Sequence, residues 1–187
     1  MDFRKRLLQR LSQDDIHEIC FLTQGTYNDS LKEELYTLIS DEDVRVSYNA
    51  LWVFTHFDLS NNKWLYAKHG ELIDKAIVEK HEGKRRLLLT LLLRQSFECD
   101  TLRTDFIDFC LETIQSSHES YANRALCMKL AYEQCKFFPE LLSELSNCLE
   151  IISTEPLSSG LKTAKRNVMK KILLTNINNS SLKIRQA

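Results

Sequence analysis

Residues 41–51 read DEDVRVSYNAL: an acidic turn, then Val-Arg, then a small residue and the start of an apolar run. Apolar residues recur at helical spacing before the turn, at positions 31, 35, 38 and 39, and the apolar run after it covers residues 50–54. The stretch therefore predicts a first helix at about 28–40, a short polar turn, and a second helix at about 43–57.

The same arrangement recurs three times further along the chain. First helices are expected at about 61–80, 100–117 and 139–153, and second helices at about 83–97, 119–137 and 158–175. The turns that connect them start at Asp41, His81, His118 and Ser158. A period of about 40 residues with two helices per unit is the signature of a helical solenoid. Two further helices, at about 2–12 and 14–24, are expected to form an N-terminal cap over residues 1–27.

The composition agrees with packed helices. Of 187 residues only four are glycine and two are proline, which is too few for sandwiches, barrels and other folds with many tight turns. The net charge of −1 excludes a globally basic protein of the histone kind. We therefore expect an all-α protein.

The cysteines and the apolar runs bear on the compartment. Six cysteines are spread singly, without any Cys-x-x-Cys, which is typical of reduced, buried thiols in a cytoplasmic protein. The start of the chain is too charged for a secretory signal, and the most apolar run, residues 87–93, is far shorter than a bilayer requires. We expect a cytoplasmic protein that makes no use of a membrane.

The segment Asp41–Leu51 resembles a HEAT repeat. Residues 81–85 keep the basic position of that pattern but replace its acidic and valine positions, and the units at 118 and 158 match in outline. The resemblance covers most of residues 28–175 as architecture. It implies a right-handed α-α superhelix of the armadillo type, with four helix pairs plus the N-terminal cap, in a single domain over 1–175. Residues 176–187, with Asn-Asn-Ser-Ser at 178–181, are expected to form a flexible tail. The resemblance also implies that the second helices line the concave side, and it implies no particular activity.

Charge is divided between the two sets of helices. The first helices carry a net negative charge and the second helices a net positive charge. From Pro156 to the end the chain has seven basic residues and no acidic one. With HEAT-like geometry, the convex side would be acidic and the concave side basic.

Basic and aromatic residues share stripes on the predicted second helices, at spacings of three and four residues. An acidic peptide or a phosphate backbone would be bound by such groups on adjacent helices. The candidate binding surface comprises Arg45, Asn49, Trp52, His56, Arg86, Thr90, Arg94, Lys129, Lys136, Lys162, Arg166 and Lys170. The alternative is that these residues are simply solvated or pack on neighbours, and that Arg45 pairs with an aspartate of its own turn.

The sequence lacks the common catalytic and metal-binding motifs. The chain has no Gly-x-Ser-x-Gly and no P-loop, and residues 159–163 lack the glycine spacing of a phosphate loop. His-Glu pairs begin at His81 and His118, but neither continues into His-Glu-x-x-His, so capping of the following helix is the favoured interpretation. We assign no catalytic, cofactor-binding or metal-binding residue and expect no cofactor.

Three classes of function are compatible with this reading. The first is a non-enzymatic scaffold that binds an acidic protein segment or a partner helix on a basic concave surface. The second is nucleic-acid binding by the same surface, because some HEAT-like proteins are alkylpurine DNA glycosylases, although no motif transfers their catalytic residues here. The third is a repeat enzyme of another class, such as a lyase. Steep salt dependence would identify the second class.

Overall fold

The computed structural model describes residues 2–25, 27–152 and 157–186. Within these ranges all regular structure is helical, and none of these residues lies in a strand. The helices are α1 Phe3–Leu7, α2 Gln13–Thr23, α3 Asp29–Thr37, α4 Val44–Thr55, α5 Leu59–Asn62, α6 His69–Val78, α7 Glu82–Leu93, α8 Thr104–Gln115, α9 Tyr121–Cys135, α10 Pro139–Ile151 and α11 Ser159–Gln186. Short 3-10 segments lie at Leu38–Ser40, Lys63–Lys68 and Cys99–Thr101. The all-α prediction is confirmed.

Several predicted helix boundaries are wrong, and the contacts give the reasons. Helix α1 ends at Leu7 rather than near residue 12, because the carbonyls of Leu7 and Gln9 accept hydrogen bonds from the Asn49 amide instead of continuing a helix. The helix expected at 61–80 is divided, and its Leu65 carbonyl accepts from the side chain of Gln95.

The last helix is longer than predicted from the sequence. Helix α11 continues to Gln186 rather than ending near 175. No proline or glycine follows Gly160, so no helix breaker interrupts this segment. That residues 176–187 form a flexible tail stays a prediction.

The helix starts are set by side-chain caps. Asp43 accepts hydrogen bonds from the backbone N–H groups of Arg45 and Val46 at the start of α4. His81 accepts one from the N–H of Lys84 at the start of α7. Asp41 forms an ion pair with Arg4 of α1, with 2.7 Å between Oδ2 and Nε. The acidic turn at 41–43 therefore both starts the second helix and fastens the N-terminal cap.

The chain divides into two compact units, Met1–Gln95 and Ser96–Ala187. In the first unit α4 packs alongside α7, α6 packs on α7, and the cap helices α1 and α2 pack on α4. The largest buried side chains include Ile16, Leu35, Leu51, Phe54 and Phe57. The second helices of the two repeats in this unit are thus neighbours.

In the second unit α8 packs on α9, α10 packs on α11, and α9 lies alongside α11. The N–H of Arg103, just before α8, donates to the Gln134 side chain near the end of α9, so these two helices are antiparallel. Arg124, which is almost fully buried, donates from Nε to the Ile114 carbonyl at 2.9 Å and satisfies the end of α8. Helices α8 and α9 therefore form a helical hairpin.

Candidate binding surface on the second helices

In the first unit, α4 and α7 run side by side in the same direction. At their starts Gly83 lies so close to Tyr48 that a Cβ on the glycine would be 3.0 Å from ring atom Cε2. At their ends the Arg94 guanidinium reaches the carbonyls of Thr55 and Phe57. The predicted stripes of the two helices are thus brought onto neighbouring elements.

Two members of the stripe on α4 hold the N-terminal cap. Asn49 is 7% exposed, and its amide Nδ2 donates to the carbonyls of Leu7 and Gln9 at 2.8 and 3.3 Å. Arg45 is exposed, and its Nη1 donates to the Leu8 carbonyl at 3.3 Å. The amide nitrogen of Asn49 is therefore used within the fold.

Arg94 caps the end of α4. Its Nη1 and Nη2 groups donate to the carbonyls of Thr55 and Phe57, and the side chain is half-buried. Burial is the largest cause of its lowered pKa. The last carbonyls of a helix have no partner within it, so Arg94 satisfies groups that would otherwise be unpaired.

Four members of the first-unit stripes remain at the surface. The ring of Trp52, which is half-buried, meets the exposed His56 ring edge-on, with 5.8 Å between centroids. Desolvation by burial, and then the nearby His17 and Arg94, lower the pKa of His56. Arg86 is exposed, and its carbonyl accepts from the hydroxyl of Thr90 at 2.7 Å.

In the second unit, α9 and α11 are also parallel neighbours. The hydroxyls of Tyr132 and Thr175 are 3.0 Å apart, and Glu133 pairs with Lys171 at 3.3 Å. Glu133 also accepts from Lys136 at 2.7 Å. Burial raises the pKa of Glu133, but the bonds from Lys136 and Lys171 outweigh burial and hold it below the ordinary value. Lys136 is therefore committed to this contact between the helices.

The other four predicted residues of the second unit lie free on the surface. All are exposed, and none has an ion pair or side-chain hydrogen bond within residues 2–25, 27–152 and 157–186. They are Lys129, Lys162, Arg166 and Lys170. We call this set the basic second-helix face.

The first helices of this unit carry the opposite charge. Their exposed ionisable side chains are acidic: Asp105, Asp108, Glu112, Glu140, Glu144 and Glu150. Arg103, at the N-cap of α8, pairs with Asp105 at 2.6 Å, and this hydrogen bond lowers the pKa of the carboxyl group. The division of charge predicted from the sequence is thus present in the fold of the second unit.

A groove of about 320 Å³ opens between the N-terminal halves of α9 and α11. Its lining includes Tyr121, Ala125 and Lys129 of α9 and Gly160, Ala164 and Asn167 of α11. Among these lining residues, only Lys129 was predicted from the sequence to belong to a binding surface. The available signal was the spacing of Tyr121, Ala125 and Lys129, four residues apart on one face of α9.

The family of this chain is shown by a comparison with models of known protein families. A model of the HEAT repeat domain matches residues 3–172. The chain belongs to the HEAT repeat family. The match extends over the N-terminal cap and all four helix pairs, including units that resemble the repeat pattern only in outline. No curated protein matches the chain.

Three further observations on this HEAT repeat protein concern a helix cap, metal binding and membrane-spanning helices. His81 caps α7, which agrees with the capping interpretation of the His-Glu pair at that turn. Among the residues that the structure describes, no group of three or more His, Cys, Asp or Glu side chains could hold a metal ion. In the same part of the chain no helix is long and apolar enough to cross a membrane.

Proposed function

We propose that this HEAT repeat protein is a non-enzymatic scaffold that binds an acidic protein segment on the basic second-helix face of its second unit. One observation carries the proposal: four exposed cations project from the neighbouring helices α9 and α11 without partners in the described chain, while the first helices of the same unit expose acids. A free cation can pair with a ligand without first breaking a contact in the protein.

The rigidity of the surface supports the same conclusion. All four cations project from helices, and α9 and α11 are tied together by the Tyr132–Thr175 and Glu133–Lys171 contacts. A preformed surface loses little conformational entropy on binding. Tyr121 and Gly160, in the first turns of α9 and α11, line the groove, and the positive ends of helix dipoles favour carboxylates.

The compartment that we propose is the cytoplasm. All six cysteines are free, and five of them are buried. Burial raises the pKa of Cys20 to about 11 and that of Cys135 to about 12, so these thiols stay protonated and unreactive at neutral pH. Free buried thiols are typical of proteins in a reducing compartment.

Nucleic acid is the second candidate partner. Lys162, Arg166 and Lys170 follow one another at four-residue spacing, about 6 Å apart along α11. A row of cations of this kind also attracts a phosphate backbone. The exposed acids on the opposite helices of the same unit favour the protein segment, because they repel a polyanion that extends beyond the basic face.

A binding experiment with two polyanions separates these candidates. The first probe is a fluorescein-labelled peptide in which ten glutamates flank a central alanine, and the second is labelled DNA, as a duplex and as a single strand. Fluorescence anisotropy is measured at 50 and 150 mM salt. We expect the peptide to bind more tightly than either form of DNA at 150 mM salt.

The variants identify the surface. Lys129→Glu/Arg166→Glu/Lys170→Glu should weaken peptide binding at least about tenfold. The matched control, Lys5→Glu/Lys63→Glu/Lys80→Glu, changes the net charge equally at exposed lysines of the first unit and should weaken it by less than about threefold. Equal losses in both variants, or tighter binding of DNA than of peptide, would contradict the proposal.

A further inference from the structure

We propose that the groove between α9 and α11 holds one bulky apolar side chain of the bound acidic segment. This inference rests on the proposed function and specifies the partner: a segment with a single large apolar residue flanked by carboxylates. The inference is based on the cavity and on the two lysines beside it, Lys129 and Lys170.

The size and lining of the groove fit a single side chain. Its volume of about 320 Å³ is at the lower end of the range for ligand sites, which suits one aromatic or large aliphatic group rather than a cofactor. Ala125 and Ala164 lie in its lining, and the Tyr121 ring, 54% exposed, offers an aromatic face at one end. Covering the exposed part of this apolar lining with a partner's side chain would contribute favourable binding free energy.

The charges around the groove determine what flanks the apolar group. Lys129 lines the groove itself. Lys170 shares one face of α11 with Thr163 and Asn167, which line the opposite wall. Carboxylates on both sides of the inserted side chain would therefore meet a lysine on each helix.

Gly160 allows the groove to be filled without disturbing the fold. A Cβ at this position would meet no atom within 4 Å, and Gly160 lies in the first turn of α11. A leucine at position 160 can extend into the groove and fill the space that the partner's side chain would occupy. Ala122, an exposed residue on α9 that also lines the groove, allows the same from the opposite wall.

The experiment compares two peptides on four proteins. One peptide has ten glutamates around a central tryptophan, and the other has alanine at the centre. Both are titrated by fluorescence anisotropy into the full-length wild type, Gly160→Leu, Ala122→Leu and Ser143→Leu. Ser143 is exposed on α10, among the acidic residues, and provides a control in which the same leucine side chain is introduced away from the groove. Thermal melts establish that each variant is folded.

On the wild type we expect the tryptophan peptide to bind about ten- to a hundredfold more tightly than the alanine peptide. Gly160→Leu and Ala122→Leu should each abolish most of this difference and leave the alanine peptide unchanged, whereas Ser143→Leu should preserve it. A tryptophan preference that is absent from the wild type, or that persists in both groove variants, would overturn the groove proposal.

The charge-reversed variant Lys129→Glu/Arg166→Glu/Lys170→Glu distinguishes this failure from failure of the proposed function. If it loses binding of both peptides while the groove variants behave as wild type, the basic face binds acidic segments and the groove is not the anchor site. If neither peptide binds the wild type at 50 mM salt, both proposals are wrong.

Discussion

Replacing Arg94 by alanine should destabilise the first unit, although the sequence pattern predicted that this arginine belongs to a binding surface. Its guanidinium donates to the carbonyls of Thr55 and Phe57, at the end of α4. Removing it leaves two carbonyls of a helix end without donors. Hydrogen bonds to charged groups contribute about 1.5–3 kcal/mol each, and the half-buried position of Arg94 favours the lower end.

We therefore expect Arg94→Ala to lower the free energy of unfolding by about 2–3 kcal/mol. Tryptophan fluorescence in urea measures the loss, because both tryptophans of the chain, Trp52 and Trp64, belong to the first unit with Arg94. The urea midpoint should fall by roughly 1–2 M.

Arg86→Ala is the matched control. Arg86 lies on the same helix, is exposed, and has no side-chain hydrogen bond or ion pair within the described chain. Its replacement should change the free energy of unfolding by less than about 0.5 kcal/mol. If Arg94→Ala and Arg86→Ala shift the midpoint equally, the capping role of Arg94 is wrong and its guanidinium is free for a partner.

Four further predictions test other parts of the fold. Asn49→Ala should cost about 1–3 kcal/mol and speed proteolysis within residues 2–12, whereas a cleavage rate equal to that of the wild type would refute the tether to α1. In the native protein a maleimide should label Cys99 rapidly and the five buried thiols slowly, and Cys99→Ser should remove the fast phase. Asp58 caps α5, and its pKa is lowered to about 2. The largest cause is the hydrogen bond that its carboxylate accepts from the N–H of Asn61. A folded-state pKa below the unfolded value means that its contribution is present above about pH 4 and is lost as pH falls to 2, so Asp58→Ala should destabilise by about 1 kcal/mol at pH 7 and not at pH 2. Deleting residues 176–187 should lower Tm by less than about 2 °C, and a larger fall would show that these residues contribute to the stability of the fold and are not a tail.

The layout of the repeats was predictable because its signals are local. The acidic turn at 41–43 caps α4 through Asp43, and the regular spacing of similar turns locates the later hairpins. Boundaries failed where a distant residue competes for the backbone. The Asn49 amide donates to the Leu7 carbonyl where α1 ends, and the Gln95 amide donates to the Leu65 carbonyl. Neither contact can be predicted from a local sequence pattern.

The candidate site divides in the same way. Periodicity correctly placed Lys129, Lys162, Arg166 and Lys170 on exposed helix faces, since exposure there depends on each helix's own buried stripe. It could not show that α1 covers Asn49 or that the end of α4 reaches Arg94.

The groove was beyond reach of the sequence for a related reason. Its width depends on how closely α9 and α11 approach each other. The two helices contact each other through Tyr132 with Thr175 and through Glu133 with Lys171, pairs that are 43 and 38 residues apart in the chain. No pattern within one helix contains this information.

The most direct test of the account is a map of where an acidic segment binds. Amide chemical shifts of the ¹⁵N-labelled protein are recorded while the tryptophan-centred glutamate peptide is added at 50 mM salt. We predict that the largest changes fall within 121–129 and 158–170, on both walls of the groove and along the basic second-helix face. Changes confined to α8 and α10, or no changes at millimolar peptide, would contradict the account.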